Sequence, residues 1–593
     1  MKKRIHLIVL VIISFFLLSP GWLLAEDLSN DTCLSCHAGM KPGVNRKEFD
    51  ASVHGVLQCV DCHPDVTSIP HATTPLRAKC DTCHEDIVKL HASGLHRVPK
   101  DEAATFGTAC YECHTKHNIR SKNDPASPTN RANIPHTCKT CHLGVYKNFI
   151  RSSHGQLWLK GDDRGPVCIT CHKAHGIEAV TSGKFRLHLP TECGNCHDDK
   201  ILSYKDTFHG QATSIGFLVA AKCSDCHTAH LNLPSTDVSS TIHPQNLQET
   251  CGKCHERIDQ NFTEFDPHPD PHNKEDSALL YYISTFMFWL LAAVFSFFGL
   301  HTILWFQRIV VAMLRKELKR HGDGKTYVLR FHNEQIFTHL LIVVSFLGLA
   351  ATGIPLKYHT EPWAGFVSSL TGGVEVSRYF HRFFALVTGV YVFYHIGWVV
   401  REFFVQQRYR NLFSEESMLP RWKDAVDLFQ NLKWFFYLGE RPKIGRWAYW
   451  EKFDYFAIFW GIPVIGISGL MLWFPEFFTK WLPGSVLNLA MVVHSEEALL
   501  AAGFIFTFHF FHNHMRPENF PLDPVIFTGR IPLERFKEER TEEYEKLVRE
   551  GKLEAVLTGP PTPARMAFAR GFGFAALSIG LILIIFIFIA FFS

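Results

Sequence analysis

The sequence has no cysteine after residue 254 and no cysteine outside one repeated motif. It also has no motif for molybdopterin, iron–sulfur or flavin binding, which excludes those redox centres as the basis of its chemistry. The net charge of +3 is close to zero and gives no indication of nucleic acid as a partner. What is present is a polar, cysteine-rich half up to about residue 275, followed by an apolar half that is rich in Phe, Leu, Ile and Trp.

Residues 1–25 are predicted to be an export signal. Basic residues at 2–4 precede an apolar run over 5–18, and Ala25 is the last residue before the predicted cleavage. Leu23 fits the small-residue cleavage pattern poorly, so retention as a membrane anchor is the alternative. Both outcomes put the cysteine-rich half, residues 26–275, outside the cytoplasm.

The cysteines form nine C-x-x-C pairs, each followed directly by a histidine. C-x-x-C-H attaches c-type haem: the thiols bond the porphyrin and the histidine ligates the iron. Zinc knuckles and disulfides are the alternatives, but neither requires a histidine at one fixed offset. The predicted attachment residues, motifs 1 to 9 in chain order, are Cys33, Cys36 and His37; Cys59, Cys62 and His63; Cys80, Cys83 and His84; Cys110, Cys113 and His114; Cys138, Cys141 and His142; Cys168, Cys171 and His172; Cys193, Cys196 and His197; Cys223, Cys226 and His227; and Cys251, Cys254 and His255.

The motifs repeat as two-haem units. Motifs 3, 5, 7 and 9 follow one another at 55 to 58 residues, and within a unit the second motif begins 30 residues after the first. Motifs 1 and 2 form a shortened unit, and motif 9 begins a unit that is cut off. This periodicity predicts a tandem, quasi-linear array.

Further histidines keep the register of the repeat and are predicted to be the sixth ligands. Some lie 12 residues after the odd-numbered motif histidines, and others lie three residues after the even-numbered ones. The predicted set is His54, His71, His96, His117, His154, His175, His209, His230 and His268, with His272 as an alternative to the last. Which distal histidine serves which haem stays open. Other histidines of this half fall outside the register: His91, His136, His188 and His243.

Two histidine ligands would close nearly every iron to substrate, which favours electron transfer over small-molecule chemistry. No C-x-x-C-K motif occurs, so the lysine-ligated site of some multihaem reductases is not indicated. With roughly 27 residues per haem and few aromatic residues, the region has little apolar surface to bury. The haems themselves are therefore expected to form its core.

Residues 276–593 are predicted to be a transmembrane domain of six helices. The apolar runs long enough to span a bilayer are 279–306, 336–356, 380–400, 455–474, 486–511 and 572–592. Basic residues concentrate in the loops 307–335, 401–454 and 512–571, which predicts that these loops are cytoplasmic. The positive-inside pattern agrees with the export signal, and both indicate a bacterial inner membrane.

Histidines inside the spans predict two b-type haems, because intramembrane histidines are costly and usually functional. His381 and His494 fall near the outer ends of the third and fifth spans. His395 and His509 lie 14 and 15 residues further along, roughly 21 Å at 1.5 Å per residue, and His339 enters from the second span. Such positions suit two stacked bis-histidine haems in a helical bundle. Hydrogen bonding within the bundle is the alternative role.

Residues 330 to 530 resemble the cytochrome b subunits of formate dehydrogenases and hydrogenases. The resemblance rests on "FHNEQIFTHLLIVVSFLGLAATGIPL", "HRFFALVTGVYVFYH" and "HSEEALLAAGFIFTFHFFHNHMRPENFPLD". It implies His381 and His494 as ligands of the outer haem and His339 and His509 as ligands of the inner one. A leucine, Leu340, replaces the family's tryptophan, and the spacing from His494 to His509 is one residue longer than in the family. His395 and His512 therefore remain alternatives.

The combination of a multihaem c region with such a b domain resembles the quinol-oxidising inner-membrane cytochromes of metal-respiring bacteria. The resemblance implies menaquinol as donor and periplasmic cytochromes as acceptors. The expected fold is mainly α-helical, with short helices and coil around the haems and a six-helix bundle. The expected function is a quinol:cytochrome c oxidoreductase; the alternatives are electron flow in the quinone-reducing direction and a non-catalytic relay subunit.

The quinone site is the least defined prediction. Two stacked haems are needed only for a site on the cytoplasmic side, where the polar candidates are His332, Glu334, Asp454 and His512. On the outer side, Glu496 and Glu497 could take quinol protons, or could form a solvated helix end.

Overall fold

The computed structural model describes residues 28–41, 43–71, 74, 76, 78–97, 108–317, 324–405, 414–516 and 519–593. The predicted export signal lies outside these residues. The described part of the chain is mainly helical, at 63%, with almost no strand. The expectation of a mainly α-helical protein is therefore confirmed.

The cysteine-rich half consists of short helices separated by turns and extended segments. They are α1 (Asn30–His37), α2 (Arg46–Asp50), α3 (Cys59–Cys62), α4 (Glu85–Ser93), α5 (Cys110–His114), α6 (Ile134–Lys139), α7 (Leu143–Arg151), α8 (Ser153–Leu159), α9 (Cys168–His172), α10 (Gly183–Gly194), α11 (Asp198–Lys205), α12 (Phe208–Ser214), α13 (Cys223–His227) and α14 (Leu247–Gly252). Single 3₁₀ turns occur at Cys80–Thr82 and Asn261–Glu264.

Three of the four even-numbered motifs, motifs 4, 6 and 8, share a backbone feature that ends the motif helix. The residue directly after the motif histidine takes a positive φ, at 68° for Thr115, 65° for Lys173 and 59° for Thr228. Positive φ is uncommon for residues other than glycine. The chain therefore turns sharply here, and the second histidine of C-H-x-x-H does not continue the helix of the first.

Six long helices are apolar enough to cross a membrane, which confirms the predicted spans and lengthens most of them. The helices and strands of this half are α15 (Ala278–Leu314), β1 (Tyr327–Leu329), α16 (Asn333–Lys357), α17 (Pro362–Leu370), α18 (Gly373–Val400), α19 (Trp422–Phe435), α20 (Tyr449–Trp473), α21 (Pro475–Phe478), α22 (Ser485–Phe504), α23 (Val525–Thr528), β2 (Arg530–Pro532), α24 (Leu533–Glu539), α25 (Thr541–Arg549), α26 (Leu553–Val556), β3 (Leu557–Thr558) and α27 (Pro563–Phe592). The spanning helices are α15, α16, α18, α20, α22 and α27.

Two of the spanning helices continue into π turns. α18 continues as Arg401–Val405, and α22 continues through Ile505–His509 and Phe511–Met515. π turns are rare and frequently occur at functional sites. In a straight α-helix the 15 residues from His494 to His509 would rotate the second side chain by about 60° from the face of the first. The wider π turn reduces this offset and so accommodates the extra residue.

The spanning helices pack into a bundle around α16 and α22. α16 contacts α18 and α27, while α15 and α20 contact α22. One hydrophobic cluster joins Ile354 of α16, Phe506 of the first π turn and Leu577 of α27. A second cluster joins Trp305 of α15 with Phe435 of α19.

A small three-stranded antiparallel sheet, in the order β2-β1-β3, covers the end of the bundle where α16 begins. Val328 and Phe536 are buried beneath it. Buried ion pairs join the surrounding loops: Arg330 and Arg446 both bind Glu543, and Arg540 binds Glu451. The positive charges of these three arginines, which lie in the loops predicted to be cytoplasmic, are thus balanced by carboxylates.

The contacts divide the chain into two compact units. The first comprises the described parts of residues 1–186 with 227–240, and the second comprises residues 187–226 with the described parts of 241–593. The second unit therefore contains both the last part of the cysteine-rich half and the six spanning helices. The domain boundary at 275 remains a prediction from the sequence.

Candidate functional site

Histidine rings lie in pairs throughout the cysteine-rich half. In the following seven pairs, a motif histidine faces a histidine from the predicted distal set. The ring centroids are 5.9 Å apart for His37–His71, 6.0 Å for His54–His84, 6.5 Å for His63–His117, 6.0 Å for His96–His142, 6.0 Å for His114–His175, 5.9 Å for His172–His230 and 6.1 Å for His209–His255.

This spacing fits a metal ion held between two imidazoles. Nitrogens that ligate one metal from opposite sides each lie roughly 2 Å from it, which puts the two ring centroids about 6 Å apart. Ligation also requires neutral imidazole. Burial lowers the pKa of the rings of His114, His117, His172, His175 and His230, and lowers that of His209 to about 4, so these rings stay neutral near pH 7.

The structure also shows which histidine rings lie together, and their order follows a rule. A distal histidine that follows one motif faces the histidine of a motif two places away. Those after motifs 1, 3 and 7 face motifs 3, 5 and 9, and those after motifs 4, 6 and 8 face motifs 2, 4 and 6. His71, which the sequence placed after motif 2, faces His37 of motif 1. Histidines of one repeat unit therefore face motif histidines of the neighbouring unit, in both directions among the first three units.

All of these histidines stay predictions as ligands, and two further members of the predicted set, His154 and His268, have other contacts. The Nδ1 atom of His154 lies 2.7 Å from Asn232 Nδ2. The Nδ1 atom of His268 lies 3.2 Å from the carbonyl of Lys200. Such contacts fix the orientation of the ring.

Histidines outside the repeat register have other contacts. His136 packs against Tyr146 and Trp158, and His188 pairs with Glu192 at 3.1 Å. These contacts match the structural roles that their positions in the sequence favour.

The cysteines show how successive motifs follow one another. The first cysteines of the two motifs in a unit lie within hydrogen-bonding distance in four units: Cys33 with Cys59, Cys80 with Cys110, Cys138 with Cys168 and Cys193 with Cys223. Between units, electrostatic contacts link Cys62 to Cys83, Cys113 to Cys138 and Cys226 to Cys251. Motifs that follow one another in sequence thus lie next to one another in space along these stretches. The structure describes all 18 cysteines, and none of them forms a disulfide.

A similar ring pair lies within the spanning helices. His381 of α18 and His494 of α22 have ring centroids 6.3 Å apart. His381 Nδ1 lies 2.9 Å from the Thr352 hydroxyl, and His494 Nδ1 donates to the carbonyl of Ile465 at 3.0 Å. With Nδ1 occupied in each ring, the Nε2 atoms remain available to a ligand.

Glycine residues let the two rings approach the neighbouring helices. A Cβ at Gly353 of α16 would lie 3.4 Å from His381 Cε1, and one at Gly469 of α20 would lie 2.9 Å from His494 Cε1. The second contact is too short for any side chain. Glycines on α16 and α20 therefore leave room for the two rings that the sequence predicted to lie together.

At the other end of the bundle, His339 lies within electrostatic range of both His509 and His514. His509 Nδ1 lies 2.8 Å from Asp454 Oδ2 on α20, the helix that also contacts His494. The alternatives have different surroundings: His395 Nε2 lies 2.8 Å from the Tyr455 hydroxyl, and His512 lies against His301. The pair His339 and His509 remains the predicted inner ligand set.

The quinone-site candidates lie in different environments. His332 and Glu334 are exposed at the start of α16. Asp454 contacts the ring of His509. Glu496 pairs with Lys357 at 2.8 Å, whereas Glu497 is only 3% exposed and its Oε2 atom has no hydrogen-bond partner among the described residues.

His301 of α15 is a buried polar residue that the sequence analysis did not select. It is 3% exposed and contacts Tyr449 and His512. Its signal in the sequence was a single histidine within an otherwise apolar run, and intramembrane histidines are candidates for function by default.

Comparison with models of known protein families gives no match to this chain, and comparison with curated proteins gives no significant match. Among the described residues, no group of three or more His, Cys, Asp and Glu side chains is arranged to hold a bare metal ion. The candidate site is therefore defined by its histidine pairs and by the C-x-x-C-H motifs.

Proposed function

We propose that this chain is a membrane quinol:cytochrome c oxidoreductase. It takes electrons from menaquinol in the membrane and delivers them to a periplasmic cytochrome c, in anaerobic or extracellular respiration. The observation that carries the proposal is the recurrence of histidine pairs about 6 Å apart, both beside the C-x-x-C-H motifs and within the spanning helices. The resemblance to cytochrome b subunits and to quinol-oxidising cytochromes supports the same function.

The chain's residues fit nine c-type haems and two b-type haems. The 18 motif cysteines would bond nine porphyrins, and the motif and distal histidines would ligate their irons. His381 with His494, and His339 with His509, would hold the b-type haems. When bound, these haems supply one-electron transfer. With an imidazole on both faces of each iron, the protein leaves no open position for a substrate.

Contacts within the second compact unit, residues 187–226 with the described parts of 241–593, support a junction between the array of motifs and the helical bundle. Motif 9 carries His255, whose Nδ1 atom donates to Glu476 of α21 at 3.1 Å. The Gly484 amide donates to the Asn261 carbonyl at 2.8 Å, and Asn488 and Asp266 exchange two hydrogen bonds. Both sets of contacts lie near the start of α22, the helix that carries His494. Motif 9 is therefore the proposed entry point for electrons from the membrane.

The bacterial inner membrane is the proposed location, with the cysteine-rich half in the periplasm. The six spans, the basic loops and the predicted export signal support this orientation. The proposed partners are the quinone pool, the lipid bilayer and a periplasmic cytochrome c.

Two other functions use the same cofactors. Periplasmic donors could reduce quinone by the reverse path, or the chain could be a relay subunit of a larger respiratory complex. The potentials of the b and c haems distinguish the two directions. Quinol oxidation by the purified chain alone distinguishes an enzyme from a relay.

The test is anaerobic mixing of the purified chain, in lipid nanodiscs, with menadiol, a menaquinol headgroup without its tail. Absorbance of the b and c haems is followed separately. We expect both classes to be reduced at catalytic rates without another subunit. Reduction by dithionite but not by menadiol would contradict the enzyme and favour the relay.

A further inference from the structure

A buried polar cluster lies towards the end of α22 opposite His494. We call it the His301 cluster and define it as His301 of α15, Asn431 of α19, Tyr449 of α20 and His512 of the second π turn. The rings of His301 and His512 are 5.2 Å apart. The Tyr449 hydroxyl accepts from Asn431 Nδ2 at 2.9 Å and lies 2.5 Å from His301 Nε2. The hydroxyl can thus donate to Nε2, which leaves Nδ1 as the N–H donor of His301.

The cluster has more polar atoms than it has partners. Among the described residues, four buried atoms have no hydrogen-bond partner: His301 Nδ1, both ring nitrogens of His512 and Asn431 Oδ1. His301 and His512 are each 3% exposed, and Asn431 is fully buried. Each such atom costs roughly 1–3 kcal/mol while it stays unsatisfied. A polar ligand that both donates and accepts hydrogen bonds would satisfy several of them together.

Aromatic side chains surround the two imidazoles. Trp450 is stacked on His512 at 5.9 Å with an interplanar angle of 24°, and Trp305 meets the same ring edge-on at 5.3 Å. Phe435 packs against His301 at 5.2 Å. Flat apolar surfaces beside a few convergent polar groups are typical of sites for planar ligands.

A chain of polar groups leads from the cluster towards solvent. Asp427 lies one turn before Asn431 on α19 and within electrostatic range of Tyr449. Lys423 contacts Asp427 at 2.7 Å and Glu542 at 3.0 Å. The side chain of Glu542 is 37% exposed. Burial raises the pKa of the Asp427 carboxyl, although Lys423 lowers it. Asp427 is therefore suited to passing protons on towards solvent.

We infer that the His301 cluster binds the headgroup of a quinol and releases its protons towards Asp427. The inference rests on the proposed function and gives that function its substrate site. A quinol hydroxyl can donate to a ring nitrogen of His512 and accept from His301 Nδ1. Oxidation of one quinol breaks two O–H bonds and yields one quinone, two protons and two electrons. The electrons would be taken up singly by the b-type haems of the proposed function, and the protons would leave by way of Tyr449 and Asp427, with Asn431 holding the Tyr449 hydroxyl.

An iron site at this cluster, or a quinol site at Glu497, fits the contacts less well. An iron between His301 and His512 would need ring centroids about 6 Å apart, and Tyr449 already occupies His301 Nε2. Glu497 is also buried, but it offers a single unpartnered oxygen, whereas the His301 cluster offers four unpartnered atoms. A quinol headgroup therefore gains more hydrogen bonds at the cluster.

The test compares two tyrosines on α20. Tyr449→Phe removes the hydroxyl that joins His301 to Asn431, whereas Tyr455→Phe removes a hydroxyl bound to His395 outside the cluster. Binding of menadione is measured by equilibrium dialysis of the full chain in nanodiscs, and the KM for menadiol is measured by c-haem reduction. Dithionite-reduced spectra verify that both variants keep their haems.

Without the Tyr449 hydroxyl, His301 is no longer held in the form that donates from Nδ1 to the ligand. We therefore expect Tyr449→Phe to weaken menadione binding and raise the KM about tenfold, the effect of one lost hydrogen bond, with Tyr455→Phe unchanged. Equal behaviour of the two variants would overturn the inference. If Tyr449→Phe fails to accumulate, Asn431→Leu takes its place with the same expectation.

Further outcomes separate the site from the function. The wild-type chain could bind menadione while the Tyr449→Phe variant does not, and yet not be reduced by menadiol. This result would support the site and contradict the oxidoreductase. Loss of menadione binding in Glu497→Gln but not in Tyr449→Phe would overturn the inference in favour of a site near Glu497. Loss of one b-type haem in His512→Gln would also overturn it, because His512 would then be a ligand.

Discussion

The cysteine-rich half and the spanning helices present histidine pairs at nearly the same spacing, but they hold them in different ways. Among the described residues, seven buried hydrophobic side chains precede residue 276 and 34 follow it. Four motif helices, α3, α5, α9 and α13, contain no buried residue. In the bundle, by contrast, His381 and His494 are fixed by hydrogen bonds and by close packing against α16 and α20.

Under the proposed function, the difference explains why one region would need covalent attachment and the other would not. A region with so little apolar core would not retain a cofactor by packing alone, so the paired thiols would have to hold it. The bundle surrounds its histidines with packed helices and can retain a haem through two axial bonds and contacts. Loss of a ligand should therefore release a haem from the bundle but not from the array.

The largest expected effect follows from replacing His494 with alanine. The variant loses one axial ligand of the outer pair, so one of the two b-type haems should be absent and the c-haem spectrum unchanged. Menadiol-driven reduction of the c haems should fall at least about 100-fold, because the inner haem lacks its neighbour. Pyridine haemochrome spectra and stopped-flow reduction measure the two effects.

The control for this variant is His395→Ala, because His395 contacts Tyr455 and no histidine of the outer pair. It should keep both b-type haems. A His494→Ala chain with both haems and normal reduction would contradict the assignment of the outer pair.

The array should respond differently to the loss of a ligand. His96 follows motif 3 but faces His142 of motif 5. In His96→Ala the haem count should stay the same while one c-type haem becomes five-coordinate and high-spin, as seen by electron paramagnetic resonance. His136→Ala is the matched control and should leave every haem low-spin.

The origin of that signal tests the exchange of ligands between units. Adding Cys138→Ala and Cys141→Ala, which removes the haem of motif 5, should abolish the high-spin signal of His96→Ala. If removal of the motif 3 cysteines abolished it instead, each distal histidine would serve the haem of its own motif.

The bundle should also be the more sensitive region to loss of protein contacts. Glu543 bridges Arg330, whose side chain is 3% exposed, and Arg446. Glu543→Gln leaves a buried guanidinium without its charge partner and should lower the free energy of unfolding by about 3–5 kcal/mol. Heating should then release b-type haem at a lower temperature than in wild type, with Glu545→Gln, an exposed residue, as the control.

A smaller effect is expected from acid. Burial alone would raise the pKa of Glu539, but Arg535 and Arg516 outweigh it and hold the pKa at about 2, against an ordinary value of 4.5. A carboxyl with a lowered pKa stabilises the fold above pH 4.5, and that contribution is lost as the pH falls from about 4.5 towards about 2.

This contribution is worth less than about 3 kcal/mol. Release of b-type haem on acidification should therefore be steeper in wild type than in Glu539→Gln over this range. Indistinguishable acid profiles would contradict the role of Glu539, and the c-type haems should stay attached throughout in both proteins.

Sequence alone predicted the six spans, because apolar length is a local signal. It also predicted that His381 and His494 lie together, because both fall near the outer ends of spans that run in the same direction. It could not predict the pairing in the array. His96 and His142 are 46 residues apart in sequence, and only the turn of each unit back onto the next brings them together. The positive φ after the histidines of motifs 4, 6 and 8 is one local cause of such turns.

The sequence also did not indicate His301 or the small sheet. Tyr449, Asn431 and His512 come from three other elements, and their convergence on His301 depends on how α15, α19, α20 and α22 pack. Strands of two or three residues, such as β1 and β3, are too short for alternation to be visible. The extra residue between His494 and His509 was visible in the sequence, but its accommodation in a π turn was not.

The most direct test of the account is the haem content of the purified chain. Acidified acetone extracts haem that is held by axial ligands and leaves thioether-bound haem on the protein, and pyridine haemochrome spectra quantify both fractions. The account predicts two extractable haems and nine retained haems per chain, in line with two histidine pairs in the bundle and nine C-x-x-C-H motifs. A chain with nine retained haems and none extractable would contradict the proposed role of the spanning helices.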